Sequence, residues 1–240
     1  MFNPRFGRDM NQTATFSENS ALADYSSQIN ALRETGKMFY DRGWSLGTSS
    51  NYSVVINRDP LELLITASGK DKGRLGPTDF VRVDSLGKPT LSGQPKSSAE
   101  TMLHCVLAKM PDVGSVLHTH SVWSTILSQI YYAPEKRSSG FAIEDYEMLK
   151  GLQGVTTHQH SEWVQIFDNT QDIQSLSITV DSILESDPNR LCHGFLMRQH
   201  GLYTWGKDIE EARRHVEIFE FLFECVARKI QLSDKSMQTT

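Results

Sequence analysis

The stretch Val113-Gly114-Ser115-Val116-Leu117-His118-Thr119-His120 combines an apolar strand pattern with two histidines at its end. Alternate residues of a strand point to the same face, so His118 and His120 present their imidazoles on one side of a sheet. Two imidazoles at this separation suit a zinc-class ion, although a catalytic zinc site also needs a third protein ligand and an open position. The stretch therefore predicts a strand that ends in part of a metal site.

A third histidine with a similar setting lies near the C-terminus. His200 follows Phe195–Arg198, which is a predicted strand, and Gly201 after it allows a sharp turn. We therefore predict that His200 completes the metal site. Another His-x-His pair, His158 and His160, lies in a stretch rich in Thr, Gln and Ser, where a solvated loop is the simpler interpretation.

The rest of the chain indicates one mixed α/β domain with strands in hairpins and helices on the flanks. Residues 1–19 are expected to form a loose arm and 233–240 a polar tail, so the predicted domain spans 20–232. Helices are predicted from residue 20 to Gly43 and at Ser97–Lys109, Ile143–Leu152, Thr179–Ser186 and Ile209–Ile230, and further strands at Tyr52–Ile56, Leu61–Ala67, Phe80–Val83, Trp163–Phe167 and Leu202–Trp205.

The composition excludes several classes of function. The 240 residues carry a net charge of −5, so no basic excess is available to neutralise a nucleic-acid backbone. No apolar stretch reaches the roughly 18 residues that a membrane span needs, and the N-terminus lacks the apolar segment of a signal peptide. Three widely spaced cysteines argue against a disulfide framework. We therefore expect a cytoplasmic protein that binds neither nucleic acid nor membrane.

Three short polar loops combine hydroxyls, an amide and backbone N–H groups, which together suit an anion such as phosphate. The helix predicted near Ser98 would add its positive dipole end, and Lys72 would add a full charge. Each loop taken alone is also explained as an ordinary turn. The loop residues are Ser49, Ser50 and Asn51, then Ser68 and Gly69, then Ser97 and Ser98.

Five motifs occur in the order seen in the class II aldolase/adducin family, which the chain resembles over about residues 25–230. They are Gly47-Thr48-Ser49-Ser50-Asn51-Tyr52-Ser53, Ile65-Thr66-Ala67-Ser68-Gly69, Ser97-Ser98-Ala99-Glu100, His118-Thr119-His120 and Arg198-Gln199-His200-Gly201. The resemblance implies one α/β domain of the α+β type, with three layers and a central, mainly antiparallel sheet flanked by helices. It also implies a homo-oligomer, usually a tetramer, with metal sites near the subunit contacts.

The resemblance further implies the metal, its ligands and the substrate class. The family's three zinc histidines correspond to His118, His120 and His200, with one Zn²⁺ per subunit. The substrate is a small sugar phosphate, whose phosphate is held by the three polar loops. Ser49 and Ser50 stand where some relatives carry glycine.

Two segments, Glu147–Gly151 and Gly201–Gly206, most resemble the branch of the family that dehydrates 5-methylthioribulose 1-phosphate in methionine salvage. This resemblance implies a hydro-lyase in which zinc polarises the C2 carbonyl, a base removes the C3 proton and an acid protonates the departing C4 hydroxyl. It assigns the acid/base role to Glu147. From the residues alone, Glu144, Asp145 and Glu147 are an acidic cluster typical of a solvated helix face.

Glu100 is a second candidate for the acid/base. In the aldolase branch a glutamate at the Ser-Ser-x-Glu position lies near the metal, but here Ala99 offsets it, and its spacing from Ser97 also suits a helix capping box. A class II sugar-phosphate aldolase or a ribulose-phosphate 4-epimerase therefore remains an alternative. A non-catalytic interaction domain, as in the adducin branch, is disfavoured by the three histidines.

Overall fold

The structure, a computed structural model, describes residues 22–135 and 138–237, without the side chains of 188, 189 and 234–237. The predicted arm at 1–19 and the last residues of the predicted tail lie outside this part of the chain. None of the helices described here is long and apolar enough to cross a membrane.

One central sheet contains the eight strands of the described chain. They are β1 (Asn51–Arg58), β2 (Leu61–Thr66), β3 (Phe80–Asp84), β4 (Ser115–Thr119), β5 (Gly140–Glu144), β6 (Ser161–Phe167), β7 (Gly194–Met197) and β8 (Gly201–Gly206). Their order is β3-β2-β1-β4-β8-β7-β6-β5, and only β6 and β7 run parallel. The expectation of a mainly antiparallel sheet is therefore confirmed.

Helices cover both faces of the sheet, as the residue alternation of the strands requires. The helices of the described chain are α1 (Ser26–Asp41), α2 (Thr101–Ala108), α3 (Val122–Ile130), α4 (Ile173–Ser186) and α5 (Ile209–Met237). Val116 of β4 packs with α2 and α4 on one face, while Leu117 packs with α1 and α5 on the other. Helix α3 packs on α5 and completes the second layer. The expected three-layer arrangement is confirmed.

The prediction of a helix at Ile143–Leu152 is wrong. The structure has β5 there, followed by a 3-10 helix at Glu147–Gly151. Phe141 and Ile143 alternate into the core while β5 pairs with β6. Pairing with a distant strand therefore outweighed the local helical periodicity.

Other element ends also moved from their predicted positions. Helix α4 begins at Ile173 rather than Thr179, because Asp172 accepts a hydrogen bond from the Ser175 backbone N–H and so caps it. Helix α5 continues beyond Ile230 to Met237, through most of the predicted polar tail.

The capping box predicted for Ser97 and Glu100 is also wrong. Helix α2 begins at Thr101, and the Glu100 backbone N–H donates to Ser98 Oγ at 3.2 Å. Ser97 instead pairs with Ala67 beyond the end of β2. The Glu100 side chain is therefore not used as a helix cap.

The antiparallel order brings distant motifs to one end of the sheet. His118 on β4 lies between its register partners Asn51 on β1 and Tyr203 on β8. The beginning of β1, the end of β4 and the beginning of β8 therefore lie side by side at the same end of these three neighbouring central strands.

Candidate metal centre and its cavity

The three histidines predicted as ligands converge at this end of the central strands. One ring nitrogen from each of His118, His120 and His200 lies within 4.8 Å of the other two. The Nε2 atoms of His118 and His120 are 2.7 Å apart, and the ring centroids are 4.5 to 5.0 Å apart. Within residues 22–135 and 138–237, this is the only group of three or more His, Cys, Asp or Glu side chains that converges so closely.

The protonation states of the cluster suit a metal. The Leu202 carbonyl can only accept, so His118 Nδ1 donates to it at 2.8 Å and Nε2 keeps its lone pair for the cluster. Burial and the neighbouring histidines lower the pKa of His118 well below its usual value, and the same causes lower the pKa of His120. Neutral imidazoles with fixed orientation are what metal ligation requires.

A carboxylate completes the surroundings of the histidines. Glu100 Oε1 lies 3.2 Å from His200 Nε2, and Glu100 Oε2 lies 3.6 Å from His118 Nε2. The donor set of three imidazoles with one adjacent carboxylate fits a zinc-class ion and leaves room for a further ligand. The side chains present at this site therefore fit the zinc ion that the resemblance implies.

Tight backbone packing places His200 in this cluster. Gln199 adopts a φ of 53°, and its N–H donates to Ser128 Oγ at 2.9 Å. The prediction that Gly201 makes the sharp turn is wrong, because the left-handed residue is Gln199. Glycine is needed at 201 because any Cβ there would overlap the Thr119 carbonyl of the neighbouring strand. The close approach of β4 and β8 thus brings His200 to the other histidines.

A chain of hydrogen bonds through Asn51 and His104 holds the side chain of Glu100 in place. Asn51 Nδ2 donates to Glu100 Oε2 at 2.6 Å and to Ser98 Oγ at 3.1 Å. His104 Nε2 donates to Asn51 Oδ1, and Ser53 Oγ donates to His104 Nδ1 at 2.8 Å. Burial lowers the pKa of His104 to about 4, so the ring is neutral, as these bonds require. Sequence reasoning treated His104 as structural; its position one helical turn after Glu100 was the available signal.

A cavity of about 540 Å³ opens over the cluster. Ser50 in its wall has a φ of 70°, a conformation that favours glycine. Its buried Oγ has no hydrogen-bond partner among the residues described, which leaves it for a ligand oxygen. The cavity is lined by the predicted phosphate residues Ser49, Ser50, Asn51, Ser68, Gly69 and Ser98, and by Glu100, His120 and His200.

Two predicted phosphate residues do not line this cavity. Lys72 is buried, its Nζ donates to the Lys70 carbonyl at 2.7 Å, and burial lowers its pKa to about 8. Ser97 is held in its bridge to Ala67. Neither side chain is therefore placed by the structure for direct contact with a ligand there.

Glu147 lies outside the cavity as well. It begins the 3-10 helix after β5, is exposed, and forms an ion pair with Lys150. His158 is also exposed, whereas His160 Nε2 lies 3.0 Å from Glu162 Oε2. The solvated loop predicted for this histidine pair therefore describes His158 better than His160.

The segment 170–174 forms a wall of the cavity that sequence reasoning missed. It contains the beginning of α4, whose N-cap Asp172 was the sequence signal that a helix starts there. The positive end of this helix dipole favours anions. The cavity thus combines small polar loops with a helix terminus beside a metal-ligand cluster.

Comparisons with known proteins agree with this arrangement. The sequence profile of the Class II Aldolase and Adducin N-terminal domain matches residues 30–227. The methylthioribulose-1-phosphate dehydratase of Pseudomonas savastanoi pv. phaseolicola is 48% identical over 193 residues, which cover 80% of this chain and 90% of that protein. The enzyme of the same name from Pseudomonas aeruginosa is 47% identical over 201 residues, covering 83% and 93%.

Solved structures share the fold at low sequence identity. L-fuculose-1-phosphate aldolase from Thermus thermophilus has a TM-score of 0.64 at 21% identity, covering 89% of this chain and 98% of that chain. A sugar-phosphate aldolase from Thermotoga maritima has a TM-score of 0.62 at 19% identity, covering 87% and 97%. With its profile match and its close relatives, the chain belongs to the class II aldolase and adducin family.

Proposed function

We propose that the protein is a lyase that dehydrates 5-methylthioribulose 1-phosphate to 2,3-diketo-5-methylthiopentyl 1-phosphate in methionine salvage. One observation carries this proposal: the histidine cluster His118, His120 and His200 opens into a polar cavity, in a chain 48% identical to a methylthioribulose-1-phosphate dehydratase. The small polar cavity suits a small anionic substrate held by local donors. The acidic net charge argues against a nucleic-acid polymer.

The three histidines are proposed to hold one Zn²⁺ per subunit. Imidazole nitrogen is a preferred zinc ligand, and Glu100 beside them balances the charge of the ion. When bound, the ion supplies a Lewis acid that polarises the C2 carbonyl and makes the C3 proton more acidic. The Leu202 carbonyl keeps His118 in the tautomer that the site needs.

The polar loops are proposed to hold the phosphate of the substrate. Ser49, Ser50 and Asn51 at the beginning of β1, Ser68 and Gly69 after β2, and Ser98 before α2 surround the cavity with donors. Lys72 and Ser97, which do not line it, are proposed to act from behind the loops, Lys72 through its charge and Ser97 through its bridge to Ala67.

Glu147 is proposed as the acid/base that takes the C3 proton and returns a proton to the C4 hydroxyl as it leaves as water. A general base must reach its proton at about 2.6–3.2 Å, or through one water. Glu147 lies outside the cavity of its own chain and is exposed. We therefore propose that a neighbouring subunit supplies Glu147 to each site.

The exposed face of α3 supports a homo-oligomer. Val122, Ile126 and Ile130 recur every four residues and are 62%, 39% and 54% exposed, with Phe221 of α5 at 48%. An apolar stripe of this kind marks a protein contact surface more often than a solvated one. We propose that another copy of the chain covers it in a tetramer. The odd number of cysteines fits a reducing compartment, and we place the enzyme in the cytoplasm.

The test of this function is an anaerobic turnover assay of zinc-loaded protein with 5-methylthioribulose 1-phosphate, following the 2,3-diketone product. We expect steady diketone formation that stops when a chelator removes the metal. Folded, metal-loaded protein that forms no diketone would exclude the dehydratase.

An aldolase or epimerase is the second candidate, because Glu100 reaches His200 from within the cavity. Metal content does not distinguish it from the dehydratase, since both need the same site. Cleavage or epimerisation of other sugar phosphates by protein that forms no diketone would support this candidate.

A further inference from the structure

Two histidines outside the metal cluster hold the two polar groups of a single peptide residue. His193 Nε2 lies 2.8 Å from the Gln153 carbonyl oxygen, and His215 Nε2 accepts a hydrogen bond from the Gln153 N–H at 3.1 Å. Gln153 follows the 3-10 helix that begins with Glu147. Both imidazoles therefore act on the loop that carries the proposed acid/base.

The bonding partners give these two rings opposite charge states. His193 Nδ1 lies 3.0 Å from both carboxylate oxygens of Glu162, and its Nε2 faces the Gln153 carbonyl, so both ring nitrogens meet acceptors and both must carry a proton. His215 Nδ1 donates to the Trp205 carbonyl at 2.7 Å, so its Nε2 is free to accept. His193 is thus an imidazolium and His215 a neutral ring.

The titration behaviour of the two rings agrees with this geometry. Burial alone would lower the pKa of His193, but the hydrogen bond and charge of Glu162 outweigh it and raise the pKa, with Glu211 adding to the rise. Burial lowers the pKa of His215 to about 4. His193 and His215 thus form a clamp on the Gln153 peptide. The His193 side of this clamp includes an ion pair with Glu162, and the His215 side is a neutral hydrogen bond.

The clamp fixes Gln153 in the middle of the long segment between β5 and β6. Leu149 and Leu152 bury their side chains in the core, and Arg214 Nε donates to the Gly151 carbonyl at 2.9 Å. Glu147 itself is held only by exposed partners, so its position depends on these anchors further along the loop.

We propose that His193 and His215 are positioning residues for the reaction, which hold the Gln153 peptide so that the turn bearing Glu147 keeps the conformation needed for proton transfer. This inference rests on the proposed function, because Glu147 is the acid/base only there. A misplacement of about 1 Å in a reacting group lowers the rate roughly 100-fold, so a loop anchor far from the chemistry affects kcat.

The test compares His193→Gln with Val83→Ala, which removes buried methyl groups from β3 at the other end of the sheet. A glutamine amide cannot donate from both ends, so it cannot bridge Glu162 and the Gln153 carbonyl. We expect His193→Gln to lower kcat at least roughly tenfold, with KM and zinc content unchanged, and to speed amide hydrogen exchange in residues 147–155. Val83→Ala should lower stability without either effect.

A double-mutant cycle with Glu147→Gln separates positioning from a merely structural role. If His193 acts through Glu147, its substitution should have no further effect on the residual rate of Glu147→Gln. Additive losses of kcat in the double variant would overturn the inference, and so would an unchanged rate of amide hydrogen exchange in residues 147–155. Either result would leave the proposed dehydratase activity standing. Wild-type protein that makes no diketone would instead overturn the proposed function and this inference with it. Glu162→Gln, which removes the charge on the other side of the pair, serves if His193→Gln does not fold.

Discussion

Glu100 Oε1 lies 3.2 Å from His200 Nε2, so this carboxylate contacts a proposed metal ligand of its own chain. Asn51 holds the other carboxylate oxygen at 2.6 Å, which fixes Glu100 in that position. Glu147 lies on the surface, where its described ion-pair partners are Lys150 and His158 rather than the three cluster histidines of its own chain. The two carboxylates that sequence reasoning left as competitors therefore occupy different places, and their substitution should have different consequences.

Replacement of Glu147 by Gln should lower kcat for dehydration by roughly 10²–10⁴-fold, the range for loss of a general acid/base. Zinc content should not change, because Glu147 is not one of the converging groups His118, His120 and His200 that are proposed to hold the ion. The matched Glu100→Gln variant should instead weaken zinc binding, by roughly the 10–100-fold typical for outer partners of metal ligands. Near-normal turnover by Glu147→Gln would remove this residue from the mechanism.

Mixed oligomers should show whether Glu147 works in a neighbour's site. His200→Ala subunits retain Glu147, and Glu147→Gln subunits retain the complete histidine cluster. If a site needs the cluster of one subunit and Glu147 of the next, an equal mixture refolded together should regain about a quarter of wild-type activity, as random pairing of subunits dictates. Activity no higher than that of the separate variants would show that Glu147 is not shared between subunits.

Replacement of His200 by Ala should remove most bound zinc and most activity, because two of the three converging imidazoles then remain. Metal content of the purified protein and competition with a coloured chelator measure the loss. His158→Ala is the matched control for zinc content, since His158 is exposed and lies outside the cluster; it does not serve as a control for activity, because it lies 3.9 Å from Glu147. Full zinc retention by His200→Ala would contradict the ligand assignment.

Local sequence patterns were sufficient for the middle of the sheet. The apolar run before His118 and the one before His200 are both buried strands, and the helical period of α5 is visible from Ile209 to Ile230. β5 could not be predicted from its own residues, because its strand conformation depends on pairing with β6. The end of α5 was misplaced because a polar sequence there suggested fraying.

The convergence of His118 and His120 was predictable because the i, i+2 geometry of a strand is a local property. The position of Lys72 was not, since a Ser-Gly-Lys-Asp-Lys stretch is typical of an exposed loop, while the structure buries this lysine against α1. The network through His104 and Asn51 joins residues about fifty positions apart, which no single motif contains. What the sequence could not supply was therefore the long-range packing around the site.

The clamp at Gln153 gives the stability of the protein a specific pH dependence. His193 has a raised pKa in the folded protein, so the stability that its charge contributes is complete below the unfolded value of about 6.5 and is lost as pH rises through the folded pKa. The difference in unfolding free energy between wild type and His193→Gln should therefore be largest at and below about pH 6 and shrink as the pH is raised through the folded pKa of His193. Urea unfolding of both proteins over this range measures it, and groups that titrate elsewhere in the molecule cancel in the difference. His215→Gln is the matched comparison with the opposite sign: the pKa of His215 is lowered to about 4, so its difference from wild type should grow as the pH rises through the unfolded value of about 6.5 and then level off. A constant difference for His193→Gln would show that the ring carries no extra proton in the folded state.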